Sequence, residues 1–246
     1  MDFEEWLRQI QSSAERLASV SDGLQRAPVP SCPGWTVADL QAHLTNVLSQ
    51  KVPVLQRPTA APPRPEEWQA VSASDGGLGE AMLEAASAVV EALANLGPGA
   101  PVWSWYRPDH SSSFWARRLG HETAIHLVDA QLAAGMAPSC NQQLAADGVG
   151  ELLQVFLARP GRPLTDGRPE ATLHLHGDDA DCEWTARLGA DGVAATAGHY
   201  VGDCQLGGPV CAIYLWGWGR QGRDSLRLEG DPLVPARFRH LAARAT

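Results

Sequence analysis

The sequence predicts two structural regions in series: an N-terminal four-helix bundle over residues 1–158 and a small C-terminal α+β domain over residues 169–246. Three observations carry this expectation. Apolar residues recur at helical spacing as far as Leu157. A run rich in proline, glycine and charge, RPGRPLTDGRPE, follows Ala158 and reads as a linker. Beyond it the apolar pattern switches to alternation, the period of a strand with one face buried.

The elements follow in order. Phe3, Trp6, Ile10, Leu17 and Val20 mark an amphipathic helix over residues 3–22. The breaker PVPSCPG ends at Gly34, and Thr36 then caps a second helix with Asp39 in a capping-box position. Val37, Leu40, Leu44, Val47 and Leu48 form its inner stripe. PTAAPPRPEE, residues 58–67, is a loop. A third helix spans about Gly79 to Leu96, a proline-bearing loop covers 97–112, a fourth helix runs from about Ser113 to Ala134, and a shorter one lies near Gln142–Leu157. In the C-terminal region, Ala171–His176, Glu183–Leu188 and Val193–Ala197 read as strands, with Ala190-Asp191-Gly192 as the turn between the last two. Val201–Leu206 and Ser225–Glu229 are further candidate strands. Val210–Trp218 and Pro235–Ala243 are candidate helices.

Composition narrows the function. The net charge of −9 argues against nonspecific nucleic-acid binding, which needs a basic surface. No apolar run reaches the roughly 18–20 residues that span a bilayer, and the acidic, amphipathic N-terminus does not read as a signal peptide. The expectation is a soluble, cytoplasmic protein with small-molecule partners, and neither nucleic acid nor membrane among them. One lysine against eighteen arginines, with abundant Ala, Gly and Pro, suggests a high-GC source. Five widely spaced cysteines without a C-x-x-C read as reduced, mostly buried thiols.

The chemistry concentrates on the fourth helix. Glu122 and His126 are four residues apart, so they share a face about 6 Å apart along the axis and can reach one ion. Asp129 lies three residues further on the same side, placed to orient a ligand. His121 and His126 are five apart, about 140° around the helix, so His121 is excluded and the segment is not an H-E-x-x-H metalloprotease motif. Leu119, Glu122, Ile125, His126 and Asp129 share one stripe, which turns two ionisable groups towards the core. His43, three residues after Leu40, points inward from the second helix and is the third candidate. A His/Glu/His set with an open fourth position suits zinc, although nickel or iron also accept such donors, and an internal hydrogen-bonded group is the alternative to a metal. His174 and His176 alternate on a strand and read as a solvent-facing pair.

Two segments resemble a known family. SCPGWTVADLQAHL, Ser31–Leu44, and WARRLGHETAIHLVDA, Trp115–Ala130, resemble the paired signatures of the N-terminal domain of mycothiol-dependent maleylpyruvate isomerases. TLHLH, EWTARLGADGV and LEGDP resemble that family's C-terminal domain. The resemblance implies a DinB-like bundle followed by a sterol-carrier-like α+β domain. It implies Zn2+ held by His43, Glu122 and His126, with mycothiol, a thiol of actinobacteria, as cosubstrate. The implied reaction is addition of the thiolate to an activated double bond, rotation, and elimination to the trans isomer.

A cation near the substrate's carbonyl would stabilise the charge formed on addition. Arg220, in LWGWGR, is the candidate, with Arg117, Arg118 and Arg107 as rivals. Mycothiol S-transfer to an electrophile and a non-catalytic binding module are the alternative functions. Trp103, Trp105 and Tyr106 either wall the pocket or plug the end of the bundle, and Cys32 is read as core packing. The loops at 58–78 and 97–112 are the expected determinants of substrate choice.

Overall fold

Seven helices and five strands form among the residues that the computed structural model describes, which are 1–57, 59, 61–62, 77–138, 140–161, 163–200 and 202–246. The chain divides into two compact units, Met1–Ser139 and Cys140–Thr246. No helix among the described residues is long and apolar enough to cross a membrane.

The first unit is built from α1 (Phe3–Val20), α2 (Val37–Leu55), α3 (Leu78–Leu96) and α4 (Ser112–Ala133). Local chemistry sets where three of them start. Asp2 and Glu5 form a reciprocal capping box on α1, Thr36 and Asp39 form another on α2, and Ser111 accepts from the Phe114 N–H at the start of α4. Helix α1 packs against α4 and α3, and α2 packs against α3 and α4. The α1–α4 contact is close because Gly120 has no side chain. A β-carbon there would stand 2.5 Å from the Trp6 ring. The shared core holds Ile10, Leu17, Leu40, Leu44, Met82, Val89 and Leu119.

Most of the expected 58–67 loop, and most of the 58–78 stretch expected to shape a pocket, lie outside the described residues. The aromatic loop before α4 resolves in favour of packing. The Trp115 indole donates to the Trp103 carbonyl at 2.7 Å, and Trp105 and Tyr106 both rest on Phe114.

The second unit opens with α5 (Gln142–Glu151), which runs into a wider π-turn at Leu152–Leu157. Strands β1 (Ala171–Gly177), β2 (Glu183–Gly189), β3 (Gly192–Ala197), β4 (Cys204–Gly208) and β5 (Arg227–Gly230) form one sheet in the order β3-β2-β1-β4-β5. β1 pairs antiparallel with β2 and parallel with β4. The expected strand at Val201–Leu206 begins later, at Cys204; Val201 itself lies outside the described residues.

Helices α6 (Val210–Gly217) and α7 (Leu233–Ala245) pack on β1 and β4 and cover the side bearing Leu173, Leu175 and Leu206. The linker-like run is tied to α7. The Arg237 guanidinium forks onto Asp166 at 2.9 and 3.0 Å and also donates to the carbonyls of Arg168 and Pro169. The reading of all five cysteines as reduced is corrected: Cys140 and Cys211 form a disulfide that joins the start of α5 to the start of α6.

Candidate metal centre

Three segments of the first unit build the site. Helix α4 is capped at Ser111 and held against Trp6 through Gly120, which fixes the phase of its inner stripe. Helix α2 supplies His43 one turn below its capping box. Between α1 and α2 the chain closes a small loop, with the Val29 N–H on the Trp35 carbonyl at 2.9 Å and an isolated bridge between Pro28 and Thr36. Gly34 has a φ of 87°, a conformation that glycine adopts without strain, and the loop brings Ser31, Cys32 and Trp35 to the site.

The three residues singled out on the helices come together. Glu122 Oε1 lies 3.2 Å from His43 Nε2 and 3.3 Å from His126 Nε2. His43, Glu122 and His126 each offer one donor atom within a single small cluster. Four ligands at about 2.0–2.1 Å from a tetrahedral ion stand about 3.3 Å from one another, so both measured separations fit one shared ion. The side chains grade from outside to inside: His43 is 35% exposed, Glu122 17% and His126 8%. The His43 side is therefore the one that opens towards solvent.

The rest of the cluster allocates lone pairs and protons. Asp129 is fully buried, and its Oδ2 lies 2.8 Å from His126 Nδ1. The Nδ1 proton is directed at Asp129, which turns Nε2 towards Glu122 and His43, where a bound ion would displace its proton. Asp129 in turn accepts from the Ser31 hydroxyl at 2.5 Å and from the Cys32 thiol at 3.6 Å. Cys32 is thus half-exposed beside Asp129 and is not a packing residue of the core. On the other flank, Arg118 binds Glu122 through Oε2, leaving Oε1 to the two imidazoles. Trp35 covers the cluster, with ring centroids 4.9 Å from His43 and 6.4 Å from His126.

Burial pushes the Glu122 carboxyl up, but the Arg118 charge and the two histidine contacts outweigh it and hold Glu122 well below the usual carboxylate range. Burial draws His126 down, while Asp129 and Glu122 together carry it up to about 9. The carboxylate is thus ionised at neutral pH, which is the state that binds a cation.

The remaining candidates fall elsewhere. His121 is buried against Trp6, 4.8 Å between ring centroids, in agreement with its exclusion from the set. Arg118 is occupied by Glu122, and Arg107 is exposed. Arg220 belongs to the second unit, just past α6, where its Nη1 donates to the Trp218 carbonyl at 2.7 Å. Arg239 stands near it. Burial and the Arg220 charge together lower the Arg239 pKa, so the end of α6 carries two neighbouring cations.

The sequence reading missed Lys51. It is the chain's one lysine and is 9% exposed, with Nζ 5.4 Å from the Trp115 ring centroid. Burial draws its amine down to about 8 against the pull of Glu122. Its position on α2 could have been noticed, because it lies seven residues after Leu44, about 20° round the helix from that member of the inner stripe.

Residues 6–131 match the mycothiol maleylpyruvate isomerase N-terminal domain, and residues 143–237 match the MDMPI C-terminal domain. The chain belongs to the mycothiol maleylpyruvate isomerase family. Its fold is also that of a solved family structure. The crystal structure of the mycothiol-dependent maleylpyruvate isomerase aligns with a TM-score of 0.59, and that of a mutant of the enzyme with 0.61. Each alignment covers 93% of this chain and 93% of the other at 15% identity. No curated protein matches the sequence. In this family member, the two signature segments, Ser31–Leu44 and Trp115–Ala130, are the segments that converge around Glu122.

Proposed function

We propose that this chain is a metal- and mycothiol-dependent enzyme that isomerises a cis double bond conjugated to a carbonyl. The observation that carries the reading is the convergence of His43 Nε2, His126 Nε2 and Glu122 Oε1 at spacings of 3.2 and 3.3 Å, with the second nitrogen of His126 held by Asp129 and the second oxygen of Glu122 held by Arg118. Family membership supports the thiol, and the donor set suits zinc through its two imidazoles and one carboxylate. Bound there, zinc would lower the pKa of a thiol so that it is a nucleophile at neutral pH.

The chain's own residues supply the remaining requirements. Asp129, clamped by Ser31 and Cys32, fixes the ring orientation and tautomer of His126. Arg118 keeps Glu122 ionised and holds one of its oxygens away from the donor cluster. Trp35 shields the imidazoles from water and leaves the partly exposed edge of His43 as the approach for a ligand. Addition of the thiolate forms a carbon–sulfur bond, breaks the π bond of the alkene and moves that electron pair onto the substrate's carbonyl oxygen. Rotation about the resulting single bond and expulsion of the thiolate return the trans alkene, so atoms and electrons balance without a redox partner. Arg220 is our candidate for the cation that stabilises the transient oxyanion, with Arg239 beside it.

The direct test is to incubate the zinc-loaded protein with mycothiol and maleylpyruvate and to measure fumarylpyruvate. Turnover that requires both metal and thiol, and that falls at least about a hundredfold in Arg220→Ala, is the expected result. Absence of fumarylpyruvate at saturating thiol and substrate overturns the isomerase reading. Formation of a stable mycothiol adduct with another electrophile would place the chain among S-transferases, the second use that the same donor set supports.

A further inference from the structure

The sheet of the second unit has a second face, opposite Leu173 and Leu175, and it carries an unexplained cluster. Successive residues of a strand alternate sides, so His174 and His176 share this face with Glu183 and Thr185 of β2 and Thr196 of β3. The expectation that His174 and His176 face solvent together fails for His174. His176 is 42% exposed, but the His174 side chain is 1% exposed. Neither ring nitrogen of His174 has a hydrogen-bond partner among the described residues. A buried polar ring without partners is costly, and such a group in a folded chain calls for an explanation.

The surrounding atoms provide one. His174 Nε2 lies 3.4 Å from Glu183 Oε1 but makes no hydrogen bond to it. On the other side of that oxygen, His199 Nδ1 lies at 3.0 Å. The His174 and His199 rings meet edge to face with centroids 4.6 Å apart. His174, Glu183 and His199 each offer one donor atom, and the three atoms lie within 4.8 Å of one another. The two separations from Glu183 Oε1, 3.4 and 3.0 Å, bracket the value of about 3.3 Å expected around a tetrahedral ion. His176 Nδ1, 3.5 Å from the same carboxylate oxygen, stands at the rim. An open pocket of about 310 Å³, bordered by His199, Tyr200, Thr185 and Arg187, lies beside His199 on the same face.

We propose that His174, Glu183 and His199 form a second metal site on the C-terminal sheet, separate from the bundle cluster. Its chemical class is a divalent first-row ion of borderline softness such as Zn2+, Ni2+ or Co2+, which two imidazoles and one carboxylate favour over Mg2+ or Ca2+. The ion satisfies the buried His174 nitrogen and pins the segment after β3 to the start of β2. The site does not depend on the function proposed for the bundle.

The test uses the full chain carrying His43→Ala, so that the bundle cluster lacks one donor. Metal-free protein is titrated with Co2+ and followed by its visible absorption and by thermal shift. One equivalent is expected to bind, and adding His199→Ala or Glu183→Gln is expected to weaken that binding at least tenfold. His199 is 61% exposed, so its removal leaves folding intact, and circular dichroism of each variant verifies this. Unchanged stoichiometry and affinity in both added variants would overturn the proposal, as would a His43→Ala protein that takes up no Co2+. Isomerase activity plays no part in the readout, so failure here and failure of the proposed reaction are distinguishable.

Discussion

Replacing Lys51 with methionine is expected to stabilise the protein. In the folded chain the amine falls from its ordinary 10.5 to about 8, chiefly through burial and despite the attraction of Glu122. In the unfolded chain it returns to the ordinary value. That displacement corresponds to about 3 kcal/mol of folding free energy lost at neutral pH. Methionine keeps the apolar stem in place. It gives up the contact with the Trp115 ring, worth about 0.5–2 kcal/mol. Glu122 is not stranded by the change, because Arg118 and two histidines remain on it. The net gain is then about 1–3 kcal/mol at pH 7.

The pH dependence gives the second readout. Below pH 8 both states carry the charged amine and the full penalty applies. Between pH 8 and 10.5 the unfolded state binds more protons, so native Lys51 protein gains stability as pH rises. The difference between Lys51→Met and the parent is therefore flat up to pH 8 and shrinks by pH 10. Urea denaturation of metal-free protein at pH 7 and pH 10 measures it. A methionine variant less stable than the parent by more than about 1 kcal/mol at pH 7, or a difference that stays constant up to pH 10, would refute the reasoning.

Three further substitutions probe other contacts of the fold. Asp129→Asn is expected to weaken metal binding about 10- to 100-fold with little change in the circular dichroism spectrum, because it loosens the hold on His126; competition with a chelator measures this. Gly120→Ala drives a methyl group into Trp6 and is expected to cost about 1–3 kcal/mol, read from denaturant midpoints. Asp166→Asn removes the charged partner of Arg237 and is expected to cost about 1.5–3 kcal/mol at pH 7. Burial alone would raise the Asp166 pKa, but the Arg237 fork and charge and the Arg168 N–H hold it below the usual range. Its contribution is therefore present above the unfolded-state value and is lost as pH falls through the folded one, so the Asp166→Asn deficit closes in acid below about pH 4.

What could be read from the sequence was local. The Thr36–Asp39 capping box marks the start of α2, and the alternation Leu173–Leu175 with the turn Ala190-Asp191-Gly192 marks three strands in register order. The bundle cluster was legible for the same reason. Glu122, His126 and Asp129 are fixed to one another by a single helix, so only His43 required a long-range guess. What escaped depends on contacts distant in sequence. The parallel pairing of β1 with β4 places a strand 27 or more residues away beside the first one, and no turn signal announces it. Cys140 and Cys211 meet only because α5 and α6 pack together. Alternation put His174 on the second face of the sheet correctly, but what buries it is the segment after β3, which has no periodicity to read.

The two donor clusters share a composition of two histidines and one glutamate, yet their surroundings differ in a way that predicts unequal affinities. In the bundle, the second nitrogen of His126 is held by Asp129, and the second oxygen of Glu122 is held by Arg118. Two of the three donors, His126 and Glu122, are therefore oriented before an ion arrives, and most of the ordering cost of binding is already met by the fold. On the sheet, His174 has no hydrogen bond at its other nitrogen among the described residues, and His199 lies on an exposed segment beyond β3. An ion there must order His199 itself. Zinc competition against chelators of graded strength is therefore expected to give two dissociation constants at least about tenfold apart, the tighter abolished by His126→Ala and the weaker by His199→Ala. The reverse order would mean that the hydrogen bonds around Asp129 contribute nothing to holding a metal, and the role assigned to that residue would have to be abandoned.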